Sequence, residues 1–291
     1  MNKNFFTSLV VLKSFGDLTI AMASIRRLSS ESLKKTSLVI GSHLVDLCQI
    51  LKPPCAVFTL KHDQGDVPAL FDIHRRGVFA ALKCTIQIRS IFKDNLTKTC
   101  GEFIFDRITW REQLLIGGIK AGGLPVSQPN IYIAYENFLK SRFTLSNTLA
   151  PVVIKANKRR VGIFPGSRVE NKKIPPILIE RIAKHCFGMG FEPVIVVLDG
   201  EEINYIAGIP VVKLHRNFSS LASAINDVGV AICADSLSAH LASYYNVPVF
   251  VASPINNSYW LPYSAYINGS SGVFGDPGGM DQALDRFLLN I

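Results

Sequence analysis

"VGIFPGSRVENKKIPPILIERIAKHCFGMGFEPVIVVL", residues 161–198, contains the order of elements that decides the fold. A short apolar run over 160–164 has the length of a buried strand and breaks at Pro165-Gly166. A helix is expected over 175–189, with Ile177, Leu178, Ile182, Ala183 and Phe187 at helical spacing. "PVIVVL", 193–198, reads as a second buried strand, with Glu201 and Glu202 just beyond it. A helix between two strands is a crossover, so the strands run parallel.

The alternation extends in both directions. Downstream come a helix over 218–228 with Ser219 or Ser220 near its N-cap, a strand over 228–233, a turn and helix over 235–246 and a strand over 247–253. Upstream, strands are expected at 8–12, 37–41, 56–59, 86–88 and 103–105, with helices over 19–28 and 43–51. Strands alternating with helices give an α/β protein with parallel, doubly wound sheets. The length of 291 residues suits about two domains. The polar stretch 143–160, with Pro151 and a basic cluster, reads as the linker. The expectation is two Rossmann-like domains, 1–150 and 151–291, facing a cleft.

Composition narrows the class. At 48% hydrophobic and 18% charged residues, the chain can build a sizeable core. No apolar run approaches the roughly 20 residues of a membrane helix. The start, "MNKNFFTSLVVL", has a basic residue before an apolar run, but Lys13 and Asp17 interrupt it, so it reads as a first strand and not a signal peptide. Six cysteines without a C-x-x-C pair fit reduced thiols in a cytoplasmic protein. Six histidines without a ligand spacing give no zinc site. Of the net charge of +9, residues 1–150 carry 19 Lys and Arg against 11 Asp and Glu. That basic half suits an anionic partner, and it also suits plain solubility.

Three segments carry candidate chemistry. In 161–175, a strand ends in a small-residue turn, and Ser167, Arg168, Lys172 and Lys173 follow within one loop. Small residues and cations at a strand's carboxyl end can grip a phosphate; a solvated basic loop has the same look. In 230–250, a strand delivers Asp235 and Ser236 to a helix start that could accept an anion. Either residue could equally be only an N-cap, and His240 could simply pack in the core. In "LVVLKSFGDLTIAM", 9–22, the turn after the first strand carries one glycine, Gly16, and a carboxylate, Asp17. Asp17 could be an N-cap or a catalytic group.

Taken together and in order, these segments resemble the ADP-heptose:lipopolysaccharide heptosyltransferase family, glycosyltransferase family 9, inverting enzymes of the GT-B fold. The matches are Gly16-Asp17 after the first strand, then Pro165-Gly166-Ser167 with Lys172, Lys173 and Ile174-Pro175. They continue with Asp235-Ser236-Leu237-Ser238-Ala239-His240-Leu241-Ala242 and Val247-Pro248-Val249. Leu237 stands where the family usually has glycine, and Ile174 where it often has tryptophan.

The resemblance implies metal-independent transfer of a sugar from a nucleotide diphosphate, ADP-linked in this family, to a hydroxyl of a lipopolysaccharide-core acceptor. It makes Asp17 the catalytic base. It puts Ser167, Arg168, Lys172, Lys173, Asp235, Ser236 and His240 on the donor diphosphate, and Glu201 or Glu202 on the ribose. No further cofactor is implied. It offers the basic first half an anionic glycolipid acceptor at the inner face of the cytoplasmic membrane, through Arg26, Arg27, Lys34, Lys35, Arg75, Arg76, Arg89 and Lys93. Other sugar-nucleotide enzymes of this fold, hydrolases or epimerases, and a non-catalytic nucleotide-sugar-binding homologue are the alternatives. No nucleic-acid motif is present.

Overall fold

The computed structural model describes residues 7–60, 101–106, 121–125, 127–147, 159–201 and 208–291, and the single positions 79, 82, 86, 108 and 149. The chain divides into two compact units, residues 1–128 with 134–148, and residues 129–133 with 149–291.

The first unit holds β1 (Thr7–Val11), β2 (Thr36–Gly41), β3 (Ala56–Leu60), β4 (Glu102–Phe105) and β5 (Ala121–Gly123). They form one sheet, ordered β3-β2-β1-β4-β5, with every pairing parallel. Every residue of β1 and β2 is buried, as expected of parallel strands covered on both faces. Among the described residues its named helices are α1 (Phe15–Ile25), the single turn α2 (Ser30–Leu33), α3 (Val45–Leu51) and α4 (Ile131–Lys140). Residues 131–133 of α4 belong to the second unit and the rest to the first.

The second unit holds β6 (Arg160–Phe164), β7 (Glu192–Leu198), β8 (Val211–Leu214), β9 (Val230–Ala234), β10 (Val249–Ser253) and β11 (Ser271–Val273). Its order is β11-β10-β9-β6-β7-β8, again parallel throughout. The helices α5 (Pro176–Gly188), α6 (Phe218–Asn226), α7 (Leu237–Tyr244), α8 (Tyr263–Asn268) and α9 (Pro277–Leu289) complete it. In both sheets the unit's first strand lies between its second and fourth strands, the arrangement of a Rossmann sheet. The strand order reverses between β1 and β4 and between β6 and β9, and ligands of such sheets bind outside the carboxyl ends at that point.

Several elements differ from the sequence expectation. Helix α1 starts at Phe15, not residue 19, because Ser14 caps it through a bond from the Asp17 N–H. Gly16 therefore lies in the helix's first turn instead of in a tight turn before it. Ile86 is helical, so no strand begins there, and 87–88 lie outside the described residues. On α5 the buried face is Leu178, Ile179, Ile182, Ala183 and Cys186, while Ile177 and Phe187 are 72% and 68% exposed. At 100° per residue those two stand about 170° and about 110° from the centre of the buried stripe. The cap of α6 is Asn217, which accepts from the Ser220 N–H, not Ser219 or Ser220. Among the described residues no helix is long and apolar enough to cross a membrane.

β11 and α9 pack closely. A side-chain carbon on Gly272 would come within 2.3 Å of Met280 Cγ and 3.1 Å of its Cα. Gly272→Ala should therefore cost about 1–3 kcal/mol by overpacking, measured by urea unfolding. Phe187→Ser, on the exposed face of α5, should stay within about 0.5 kcal/mol.

Candidate active site

In the first unit the reversal point is acidic. The chain leaves β1, passes Lys13 and enters α1. Asp17 is the third residue of α1: its N–H donates to Ser14 Oγ at 3.2 Å, and the hydroxyl and backbone N–H of Ser14 hydrogen-bond its carboxylate. The pair is a reciprocal capping box, so Asp17 is not the N-cap itself. β4, paired with β1, ends at Phe105, and the next residue is Asp106. Burial, and secondarily the Asp106 charge, raise the Asp17 carboxyl from 3.8 to about 6, while Ser14 and Lys13 oppose the rise. Two carboxylates repel a phosphate here. They suit a group that must take up a proton near neutral pH. The sequence reading missed Asp106; its signal was present in "FIFD", 103–106, an apolar strand ending in an acid.

The second unit brings both signs of charge to its strand ends. Past β6, the Ile174 N–H donates to the Pro165 carbonyl at 3.1 Å and closes the loop. The Ile174 side chain enters the core, 3% exposed, and anchors this loop. Past β9, Ser236 occupies the N-cap of α7 without capping it by its side chain. Its hydroxyl donates instead to the Gly166 carbonyl at 3.1 Å, tying the two strand ends together. The amino end of α7 is thus not capped by the side chain of its own N-cap residue, and a helix dipole there favours an anion. Leu237 is the first residue of that helix and is half-buried.

Lys172 and Lys173 part company. Lys172 Nζ reaches Asp235 Oδ2 at 2.7 Å, whereas Lys173 pairs with the exposed Glu170 at 2.7 Å. Only Lys172 is brought to the strand ends; Asp235 holds one of its three N–H groups. Arg168 is exposed on the same loop, and Ser167 Oγ accepts from the Val169 N–H at 3.3 Å. Glu201 Oε2 accepts from the Leu198 N–H at 3.2 Å. Its carboxylate lies 3.4 Å from where a side-chain carbon on Gly166 would sit, an ordinary contact distance, so it borders the turn after β6. Glu202 lies outside the described residues, as do Arg75, Arg76, Arg89 and Lys93.

His240, one turn into α7, is 6% exposed. Burial pushes its imidazole from 6.5 down to about 4; the Lys172 charge also lowers it and Asp235 opposes. It is therefore neutral beside a charged pair. Its Nδ1 lies 3.1 Å from the Tyr132 hydroxyl. Tyr132 belongs to the short segment 129–133 of the second unit, within the span that the sequence reading assigned to the first domain. Nothing local in the sequence pairs it with a histidine 108 residues away.

Solved structures share this fold. The chain matches a glycosyl transferase family 9 protein from Veillonella parvula with a TM-score of 0.64 and 14% identity, over 100% of this chain and 99% of that one. It matches the E. coli heptosyltransferase WaaC with ADP at 0.61 and 10% identity, over 99% and 100%. It matches an E. coli ADP-heptose LPS heptosyltransferase II at 0.58 and 12% identity, over 98% and 99%. No protein-family model matches the sequence, and a search of curated proteins finds no match. At these identities the likeness is one of fold: two Rossmann-like units, as in GT-B glycosyltransferases.

The charge on Asp17 has a stability consequence. A carboxyl whose folded value is raised binds its proton more tightly in the fold, so stability falls as pH rises from about 4 to about 6 and stays lower above. The penalty is on the order of 1–3 kcal/mol. Asp17→Asn should therefore melt at a higher temperature than the parent at pH 7.5, and the gap should close by pH 4. A gap independent of pH would show that the buried charge is not its source.

Proposed function

We propose that this protein is an inverting glycosyltransferase that moves a sugar from a nucleoside diphosphate to an acceptor hydroxyl, with ADP-heptose as the donor and a lipopolysaccharide-core type of glycolipid as the acceptor. The observation that carries the reading is the convergence at the carboxyl ends of β6 and β9. There Lys172, held by Asp235, stands with Ser236, Gly166 and the amino end of α7, which its N-cap residue does not cap by its side chain.

In this reading the acceptor oxygen gives its proton to Asp17 and forms a bond to the anomeric carbon. The bond from that carbon to the phosphate oxygen breaks in the same displacement, and its electron pair leaves with the diphosphate. The growing negative charge meets Lys172, Arg168 and the dipole of α7, a fixed positive field that needs no metal ion. Lys172 keeps two N–H groups for phosphate oxygens while Asp235 orients it. Glu201 takes the ribose hydroxyls, and Ser167 and Ser236 border the phosphates. A base near pH 6 is matched to neutral operation: it is mostly ionised at pH 7, yet more basic than an ordinary carboxylate.

The test is a panel of nucleotide sugars with and without acceptor glycolipid. Transfer from ADP-heptose is the expected outcome. Donor consumption without acceptor would instead mark a hydrolase or epimerase, and binding without turnover a non-catalytic protein. Asp17→Asn should lower kcat by about 100-fold or more with donor affinity unchanged. In the parent, kcat/KM should rise with pH through about 6, because the base is lost when Asp17 is protonated.

The basic first half offers an acidic membrane surface a partner. Of its candidates, Arg27 is engaged by Glu136 at 3.3 Å and Lys35 by Glu31 at 3.7 Å; Lys34 is exposed and is the described cation to test first. Pelleting with anionic vesicles should fall steeply between 0.05 and 0.5 M salt, as the Debye length shrinks; pelleting that ignores salt would remove this part of the proposal.

A further inference from the structure

The second unit contains a buried polar chain beyond the groups assigned to the donor. Asn130 is fully buried. Its Nδ2 donates to the carbonyls of Ser258 and Leu261 at 3.0 and 2.9 Å, and its Oδ1 accepts from the Tyr132 N–H at 3.0 Å. Tyr132, 3% exposed, places its hydroxyl 3.1 Å from His240 Nδ1 and hydrogen-bonds the Ser243 side chain as well. His240 and Ser243 lie on α7, about one turn apart, so the phenol holds that helix at two points. Buried phenol and imidazole groups are costly unless paired; here each completes the other.

Two proton arrangements fit this contact: the phenol donates to His240 Nδ1, or an Nδ1 proton donates to the phenol oxygen. Burial holds the Tyr132 phenol neutral. If the Ser243 hydroxyl donates to the phenol oxygen, the phenol proton goes to His240 Nδ1, and the ring carries its own proton on Nε2. A neutral ring matters because His240 feels both Asp235 and Lys172. An imidazolium would compete with Lys172 for Asp235 and repel Lys172 from its place.

We propose that Tyr132 is a positioning residue of the donor grip, acting through His240. Its hydroxyl fixes the Nε2–H tautomer and seats α7, and the end of α7 delivers Asp235 and Ser236 to the phosphates. This rests on the reading of the second unit as a nucleoside-diphosphate grip.

The test uses the full chain as parent, Tyr132→Phe, His240→Asn and the double variant. Phenylalanine keeps the ring and removes only the hydroxyl. Ring nitrogen-15 NMR, with the His240 signal assigned by its absence in His240→Asn, should show the Nε2–H tautomer in the parent. Tyr132→Phe should shift it to a mixture of tautomers. Calorimetry with ADP, UDP and GDP should show the dissociation constant of the preferred nucleotide rising about 5- to 20-fold in Tyr132→Phe, roughly the value of one buried hydrogen bond. In the His240→Asn background the same change should add less than twofold. An unaltered tautomer, or equal losses in both backgrounds, would overturn the proposal and leave Tyr132 a packing residue. A parent that binds none of the three nucleotides would sink the grip itself, and Tyr132's role in it. The imidazole signals would then still report the Tyr132–His240 bond separately.

Discussion

A parallel strand buried on both faces has no side free for polar chemistry. β1, β2, β9 and β10 are covered along their whole lengths. The charges that matter are therefore confined to the strand ends, where backbone pairing stops and helix termini begin. The Rossmann strand order sharpens this. At the reversal point the segments after neighbouring strands diverge to opposite faces of the sheet and leave a crevice between them. Each unit has one such place: the first carries Asp17 and Asp106, the second a Lys172–Asp235 pair.

In the first unit the crevice carries Asp17 and Asp106. Burial of Asp17, and secondarily the Asp106 charge, raise the Asp17 carboxyl to about 6, at some cost to folding. Ser14 limits that cost by bonding the carboxylate while it caps α1. The capping-box role of Asp17 does not exclude the proposed catalytic one: the same bonds that start the helix also hold the carboxylate in place.

In the second unit the strand ends carry Lys172 and Asp235, the groups that the proposed function sets beside a diphosphate. The Ser236 hydroxyl is diverted to Gly166, so the start of α7 is not closed by its own side chain. Asp235 is better understood as the holder of Lys172 than as a ligand of phosphate, since a bare carboxylate there would oppose an anion. His240, buried and neutral, separates this polar edge from the core, where Ile174 and its apolar neighbours close the base of the loop.

Much of this was legible in the sequence. The strands at 160–164, 193–198 and 247–253 are apolar runs whose length and punctuation need no tertiary information. The ordered motifs around Asp17, Pro165-Gly166-Ser167 and Asp235-Ser236 marked the polar strand ends, because local chain chemistry sets where a strand stops and a helix starts. The buried face of α5 was read one step off at its ends, since Ile177 and Phe187 are as apolar as the residues that are buried; only packing against the sheet separates them. Tertiary structure alone decided the choice of Lys172 over Lys173, the partnership of Asp17 with Asp106 and the bond from Tyr132 to His240. Each of these is set by distance across the fold between residues far apart in the chain. Periodicity and propensity describe only neighbours; the pairing of remote strand ends exists only once the sheet has formed.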